Sequence, residues 1–182
     1  MPRLIMWNLI TLDGYFEGDE KWDLQHHNYV WGDELERFSI EQTFSADVIL
    51  FGRVTYEGMA AHWQVAVGPV ADIMNRIPKV VFSNTLETAD WNNTRLVRGS
   101  AVEEVARMKR EPGRDMFVFG SAELCDGLLH AGLFDEIRLC VVPVILGKGT
   151  PLFKPGDELR LELLSVMPLS TGATIHRYRP TS

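Results

Sequence analysis

Two apolar runs in this sequence end in glycine and pass at once into helical sequence, and this feature most constrains the fold. The first stretch is "DVILFGRVTYEG", from Asp47 to Gly58, and the second is "DMFVFGSAEL", from Asp115 to Leu124. Short continuous apolar runs are typical of strands that are covered on both faces. Strands that are each followed by a helix predict a parallel sheet, and hence an α/β fold.

The rest of the chain extends this pattern and then changes it. Further strands are predicted at 3–12, 79–83 and 94–99, and helices at 29–44, 53–62, 70–77, 102–110 and 121–133. The last third contains three strand-like runs in succession, at 135–146, 158–169 and 174–180. We therefore expect one domain over residues 1–182, with a mixed, mostly parallel sheet, helices on both faces and antiparallel C-terminal strands.

Composition limits the functional classes. With 182 residues, 46% of them hydrophobic, the chain is long and apolar enough for one ordinary core. The net charge is −7 and the basic residues are scattered, which argues against a nucleic-acid-binding protein. The N-terminal apolar run is too short for a signal peptide, and no segment approaches the roughly 18 apolar residues of a membrane span. We expect a soluble, cytoplasmic protein.

Neither the cysteines nor the histidines predict a metal site. Cys125 and Cys140 form no CxxC motif and have apolar neighbours, so we expect buried free thiols. His26 and His27 lie close to Asp23, but adjacent loop histidines point in different directions and no second cluster supports them.

The glycine-ended strands predict an anion site. In open α/β sheets ligands bind beyond the carboxyl ends of the strands, where a helix start presents free N–H groups. Gly52 and Gly120 would bring bare backbone to that edge, and each alone is equally well explained by close strand–helix packing. Together with polar side chains beside them, they favour a nucleotide with several phosphates; these side chains are Arg53, Thr55, Ser83, Asn84 and Ser121. No Walker loop and no GxGxxG motif is present.

The order of these motifs resembles a known family. "FGRVTYE", "PKVVFSN" and "MFVFGSAEL" follow one another as in dihydrofolate reductases. "TLDGYFEG" and "VVPVILGKGTPLF" are more similar to the reductase domain of bacterial riboflavin biosynthesis, and its stand-alone relatives are the most similar of all. The resemblance runs from about Arg3 to Arg179 and implies a dihydrofolate reductase-like fold, an NADPH-dependent reductase and a homodimer.

The resemblance also implies cofactor-binding residues. Gly52, Arg53 and Thr55 match the turn that binds NADPH phosphates, with Arg53 near the 2′-phosphate of the adenosine ribose. The match extends to a pair that holds the adenosine end and to a turn under the pyrophosphate, which are Ser83 with Asn84 and Gly120 with Ser121 and Ala122.

The substrate side is less well marked. Asp13 matches the turn close to where nicotinamide and substrate meet in the riboflavin reductases, although Asp-Gly is also an ordinary tight turn. Glu36 is the nearest match to the carboxylate that serves the pterin in dihydrofolate reductases, although "GDELE" is also typical of a solvated helix face. Phe119 stands where the riboflavin reductases carry an acidic residue, so the sequence does not identify the substrate. A non-catalytic nucleotide-binding module and a structural dimerisation domain stay open as alternatives.

Overall fold

The structure, a computed structural model, describes residues 1–156 and 158–181. In this part of the chain the strands are β1 Leu4–Thr11, β2 Tyr15–Glu17, β3 Ala46–Gly52, β4 Lys79–Phe82, β5 Thr94–Val97, β6 Asp115–Phe119, β7 Glu136–Val142, β8 Thr150–Pro151, β9 Arg160–Pro168 and β10 Thr174–Thr181. The helices are α1 Asp33–Thr43, α2 Arg53–Trp63, α3 Pro69–Arg76, α4 Ala101–Met108 and α5 Ala122–His130, and a 3-10 helix covers Gln25–Tyr29.

Eight of the described strands form one sheet in the order β5-β4-β3-β6-β1-β7-β10-β9. The pairs from β5 to β7 are parallel, and β10 pairs antiparallel with both β7 and β9. This confirms the predicted mixed, mostly parallel sheet with antiparallel C-terminal strands.

Helices cover both faces of the sheet, as predicted. Alternation along β1 sends Ile5, Trp7 and Leu9 into a core that also contains side chains of α1, α2 and α3. Leu4 and Met6 point the other way, into a core completed by α4 and α5. Because both faces are buried, β1 is apolar almost without interruption, which is the pattern that the sequence displayed.

The two flanks of β1 pair over different lengths. β1 pairs with β6 only from Leu4 to Trp7, whereas its pairing with β7 continues to Thr11. Beyond Trp7 and Phe119 the two strands therefore separate. This gap lies at the carboxyl edge of the sheet and positions the site described below.

The structure differs from the prediction in the region after β1. The helix expected over 29–44 begins at Asp33, because residues 25–29 form a separate 3-10 helix and Gly32 is extended. Three acidic residues in the first turn suit the positive end of α1. Strands β2 and β8 were missed; they are three and two residues long and pair antiparallel with each other. They hold the segment after β1 against the segment after β7.

The amino end of the sheet contains a buried carboxylate held by arginines. Glu136 Oε1 accepts hydrogen bonds from Arg177 Nε at 2.6 Å and from Arg138 Nε at 2.7 Å. Burial opposes ionisation of this carboxyl, but the two hydrogen bonds outweigh it and lower its pKa to about 2. The cluster ties β7 to β10 at the end of the sheet away from the cleft.

Candidate functional site

The starts of α2 and α5 are joined by two hydrogen bonds. The backbone N–H of Gly52 donates to Ser121 Oγ at 2.9 Å, and the backbone N–H of Ser121 donates to Thr55 Oγ1 at 2.9 Å. Ser121 adopts a left-handed conformation, with φ 61° and ψ 61°, and so turns its hydroxyl toward β3. The predicted residues Gly52, Thr55 and Ser121 are therefore brought into direct contact.

This arrangement leaves both helix starts without a side-chain cap. Neither Gly52 before α2 nor Ser121 before α5 supplies a side-chain hydrogen bond to its helix. The first-turn N–H groups, starting at Arg53 in α2 and at Ala122 in α5, thus remain available at the same edge of the sheet. Two such helix starts side by side favour an anion with more than one negative group.

Gly120 allows β6 to approach α2 closely. Its φ is +61°, and a Cβ at this position would lie 2.8 Å from Thr55 Cγ2. A side chain would therefore both strain the backbone and push α2 away.

The register of the sheet aligns three more polar residues along the same edge. Gly52 pairs with Phe82, and Phe82 pairs with Val97. The residues that follow these three strand ends are Arg53, Ser83 and Arg98, which places them on neighbouring strands about 4.8 Å apart. Arg98 was missed by the sequence analysis, since only the register shows that β5 ends beside β4.

The polar residues at this edge are ordered by local contacts. Arg53 Nη1 lies 2.9 Å from Glu57 Oε2, and both side chains are partly exposed. Ser83 Oγ accepts from the backbone N–H of Leu86 at 3.0 Å. Asn84 Oδ1 accepts from the backbone N–H of Gly99 at 2.8 Å, which links the loops after β4 and β5.

A cavity of about 130 Å³ opens beside this edge, where β1 and β6 separate. Its wall includes Trp7 and Leu9 of β1 together with Phe119 and Gly120 at the end of β6. Thr55 lies in the wall too, so the cavity reaches the joined helix starts. A ligand that binds the helix starts can therefore extend into an apolar chamber.

The loop after β2 closes one side of this inner cavity. Trp22, which has a positive φ of 66°, lines the cavity and packs on Gly58 of α2. A Cβ on Gly58 would overlap the indole ring of Trp22. The absence of a side chain at Gly58 thus makes room for the Trp22 ring. The loop is fixed further by a hydrogen bond from the backbone N–H of Trp22 to Glu17 Oε2 at 3.0 Å.

A second cavity, of about 460 Å³, adjoins the first and shares its tryptophan wall. Trp22, Trp31 and Trp63 line both cavities, and so does His27. Burial, reinforced by the neighbouring His26, lowers the pKa of His27 to about 3, so its ring is neutral at physiological pH. The outer cavity carries Glu36 and His62 at its wall.

The two expected catalytic carboxylates lie in different settings. Glu36 lines the outer cavity and does not reach the inner one. Asp13 accepts hydrogen bonds from the Thr11 hydroxyl at 2.7 Å and from the backbone N–H groups of Leu146 and Gly147 at 3.2 and 2.8 Å. The Thr11 bond, followed by the two backbone bonds, lowers the pKa of Asp13. Asp13 thus holds the segment after β7 against the end of β1.

The remaining features of the described part of the chain concern metal-ligand groups, cysteines and membrane spans. In residues 1–156 and 158–181 no group of three or more histidine, cysteine, aspartate and glutamate side chains is arranged to hold a metal ion. Cys125 and Cys140 are buried free thiols, as predicted, and burial raises both pKa values to about 12. Within the same residues no helix is long and apolar enough to cross a membrane.

Comparison with known proteins places this geometry in a family. The family model described as the RibD C-terminal domain matches residues 2–175. Bacillus subtilis (strain 168) contains a similar protein, called uncharacterized protein YyaP, with 28% identity over 93% of this chain and 90% of its own length.

Two solved structures are similar in fold. A proposed riboflavin biosynthesis protein from Shewanella sp. PV-4 has a TM-score of 0.79 at 21% identity and covers 99% of both chains. Dihydrofolate reductase from Enterococcus faecalis, complexed with NADP(H), has a TM-score of 0.66 at 15% identity, over 99% of this chain and 97% of the other. These likenesses confirm the dihydrofolate reductase-like fold.

Proposed function

The chain belongs to the RibD C-terminal domain family, and we propose from this membership and from the cleft that it is an NADPH-dependent reductase acting on a small heterocyclic or carbonyl substrate. One observation carries the proposal: two uncapped helix starts, joined through Gly52, Ser121 and Thr55, open directly into an apolar chamber. Helix starts suit phosphates, and an apolar chamber suits a nicotinamide ring with its substrate.

The residues present fit this cofactor. Gly52, Thr55, Gly120, Ser121 and Ala122 surround the free N–H groups, and the left-handed turn at Gly120 leaves the backbone bare. They would hold the pyrophosphate, since backbone donors at a helix start suit phosphate oxygens.

The adenosine end would bind along the ends of β3, β4 and β5. Arg53 and Arg98 supply two guanidinium groups there, and Ser83 and Asn84 supply shorter polar groups between them. A guanidinium binds a phosphate strongly because its donors match two oxygens at once. We therefore propose a preference for NADPH over NADH.

Bound NADPH supplies a hydride, and the substrate gains that hydride together with one proton. The chain's own part is to orient the substrate and to exclude water from it. The inner cavity does both, because Trp22 closes it from one side and Trp7 and Phe119 form its floor.

The carboxylates would act at the margin of this chamber. We propose that Glu36 delivers the proton through solvent in the outer cavity, whose wall it forms. Asp13 is a positioning residue: its three hydrogen bonds fix the end of β1, from which Trp7 and Leu9 enter the cavity.

We also propose that the protein is a homodimer that associates through β9. This strand lies at the edge of the sheet order, and every residue from Arg160 to Pro168 is exposed. Leu163 is 54% exposed and Val166 is 45% exposed. An exposed apolar edge strand readily pairs with a second copy. Light scattering after chromatography should give twice the chain mass, and Leu163→Lys should give the monomer.

Titration with NADPH and NADH, followed by the fluorescence of the reduced nicotinamide, tests the cofactor. We expect binding that is selective for NADPH. Binding of neither nucleotide would overturn the proposal. Selective binding without turnover on any heterocyclic or carbonyl compound would favour the alternative, a non-catalytic NADP(H)-binding module, to which the distance of Glu36 from the inner cavity also points.

A further inference from the structure

In the part of the chain that the structure describes, the two adjoining cavities have no lysine or arginine in their walls. The one carboxylate among the described residues that line them is Glu36, in the outer cavity. Placing a phosphate or carboxylate in an apolar chamber without a cation costs several kcal/mol or more. Arg53 and Arg98 follow β3 and β5, at the strand ends that we assign to the cofactor.

Aromatic rings dominate the walls. Trp7, Trp22, Trp31 and Trp63 all line the inner cavity, and Met59 joins them. Flat aromatic surfaces favour a planar ligand, which stacks on them or packs edge to face. A non-planar sugar phosphate gains little from such walls.

Among the described residues that line the inner cavity, three side chains have a buried nitrogen without a hydrogen-bond partner: Asn8, His27 and Gln42. Gln42 is 6% exposed and lines the inner cavity. Its Oε1 accepts from Arg138 Nη1 at 3.4 Å, which leaves Nε2 as an unpaired donor. His27 Nε2 is buried and unpaired as well. A neutral histidine offers this atom as donor or as acceptor, according to its tautomer.

Buried polar groups without partners are rare, because each costs about 1–3 kcal/mol. A ligand with a ring carbonyl would satisfy Gln42 Nε2. A ring N–H beside that carbonyl, or a second acceptor, would satisfy His27 Nε2.

We propose that the substrate is an uncharged, planar heterocycle with at least one ring carbonyl, and that it carries neither a phosphate nor a carboxylate. This inference rests on the proposed reductase function, because it names the substrate class of that same cleft.

A matched pair of probes tests it. 2-Quinolinone is a planar, uncharged lactam, and 2-quinolinone-4-carboxylate adds one negative charge to the same rings. Their binding is followed by quenching of tryptophan fluorescence, with and without NADP⁺. We expect the neutral probe to bind about tenfold more tightly or better, because the carboxylate has no cation to meet. Equal affinity, tighter binding of the carboxylate, or no binding of either probe would overturn the substrate class.

Two variants locate the effect. His27→Phe keeps a ring and removes Nε2, so it should weaken 2-quinolinone by about tenfold and leave naphthalene unchanged. Val67→Lys adds a cation to the outer cavity at a residue that is 95% exposed; it should improve carboxylate binding by about two- to fivefold. Val65→Lys, 81% exposed and outside the cavity wall, is the matched control and should change neither affinity. If His27→Phe binds 2-quinolinone as tightly as the wild type does, His27 does not contact the ligand.

Failure of the proposed substrate class can be distinguished from failure of the proposed reductase function. Binding of 2-quinolinone without any binding of NADPH would leave the cavity preference standing and remove the reductase. Selective NADPH binding together with a preference for the carboxylate probe would support the reductase and overturn the proposed substrate class.

Discussion

The Ser121 hydroxyl accepts the backbone N–H of Gly52 at 2.9 Å and thereby ties the end of β3 to the start of α5. A serine before a helix ordinarily caps its own helix. Here the left-handed backbone of Ser121 turns the hydroxyl to another strand, and α5 is left with free donors. Stability of the turn and availability of the helix start thus depend on the same side chain.

Ser121→Ala should lower both stability and cofactor affinity. The Gly52 N–H would lose its acceptor at a partly buried position, which costs about 1 kcal/mol or more of unfolding free energy. Urea unfolding and NADPH titration measure the two effects. Ser100→Ala is the control, because Ser100 caps α4 and its loss should cost about 1 kcal/mol without any change in NADPH affinity. An unchanged NADPH affinity in Ser121→Ala would place the phosphates elsewhere.

Arg53→Ala should weaken NADPH by about 1.5–3 kcal/mol, because a charge-assisted contact to phosphate is lost. NADH lacks the 2′-phosphate and should be affected little. Arg98→Ala should show the same selectivity, since Arg98 follows β5 at the same edge. Arg107→Ala, on the exposed side of α4, should change neither affinity. Equal losses for both nucleotides would contradict the assignment of Arg53.

Gly58→Ala should displace Trp22 and open the inner cavity, since the added Cβ overlaps the indole ring. We expect altered tryptophan fluorescence and a weaker substrate or probe, with NADPH affinity retained. Gly127→Ala is the matched control in α5, where a Cβ meets nothing within 4 Å; it should stabilise the protein by about 0.5–1 kcal/mol. If Gly58→Ala is stabilised to the same extent and its fluorescence is unchanged, the position of Trp22 does not depend on the missing side chain at Gly58.

Glu136→Gln should destabilise the protein by about 3 kcal/mol, because it leaves the buried Arg138 and the partly buried Arg177 without their carboxylate. The folded pKa of Glu136, about 2, lies below the ordinary value of 4.5. Its contribution is therefore complete above pH 4.5 and is lost as the pH falls from 4.5 to 2. Urea unfolding of the wild type should show this loss and the variant should not. Glu162→Gln, at an exposed pair with Arg179, should change the unfolding free energy by less than about 0.5 kcal/mol. If the unfolding free energies of the wild type and Glu136→Gln change in parallel with pH, the Glu136 carboxyl is not the source of the loss of stability.

The local sequence pattern was sufficient to predict those strands that are buried on both faces. The apolar run of β1 and the strand–glycine–helix connections at Gly52 and Gly120 were readable because burial and chain direction both leave a mark in the residues. Strands β2 and β8 left none, since three residues and two residues are too few for a periodicity. Their pairing depends on contacts between distant parts of the chain.

The residues of the candidate site also fall into two groups: those that the sequence could predict and those that it could not. Gly52, Thr55 and Ser121 could be placed from the motif, because strand ends and helix starts share one edge. Arg98 could not, because its position depends on the register of β5 against β4. Gly58 could not either: in sequence it is an ordinary helix glycine, and its importance comes from the Trp22 ring, which lies 36 residues away along the chain.

The distribution of charge in the cleft has a kinetic consequence. On a chain of net charge −7, Arg53 and Arg98 follow β3 and β5 at one end of the strand edge, while no lysine or arginine among the described residues lines the cavities. We expect an anionic nucleotide to be repelled by most of the surface and steered to these two arginines, so that its association slows as ionic strength rises. A neutral molecule feels no such guidance and enters the tryptophan-lined mouth at a rate that salt leaves unchanged. If the proposed function holds, the cofactor and the substrate approach the cleft by independent routes and are separated by charge before either makes contact.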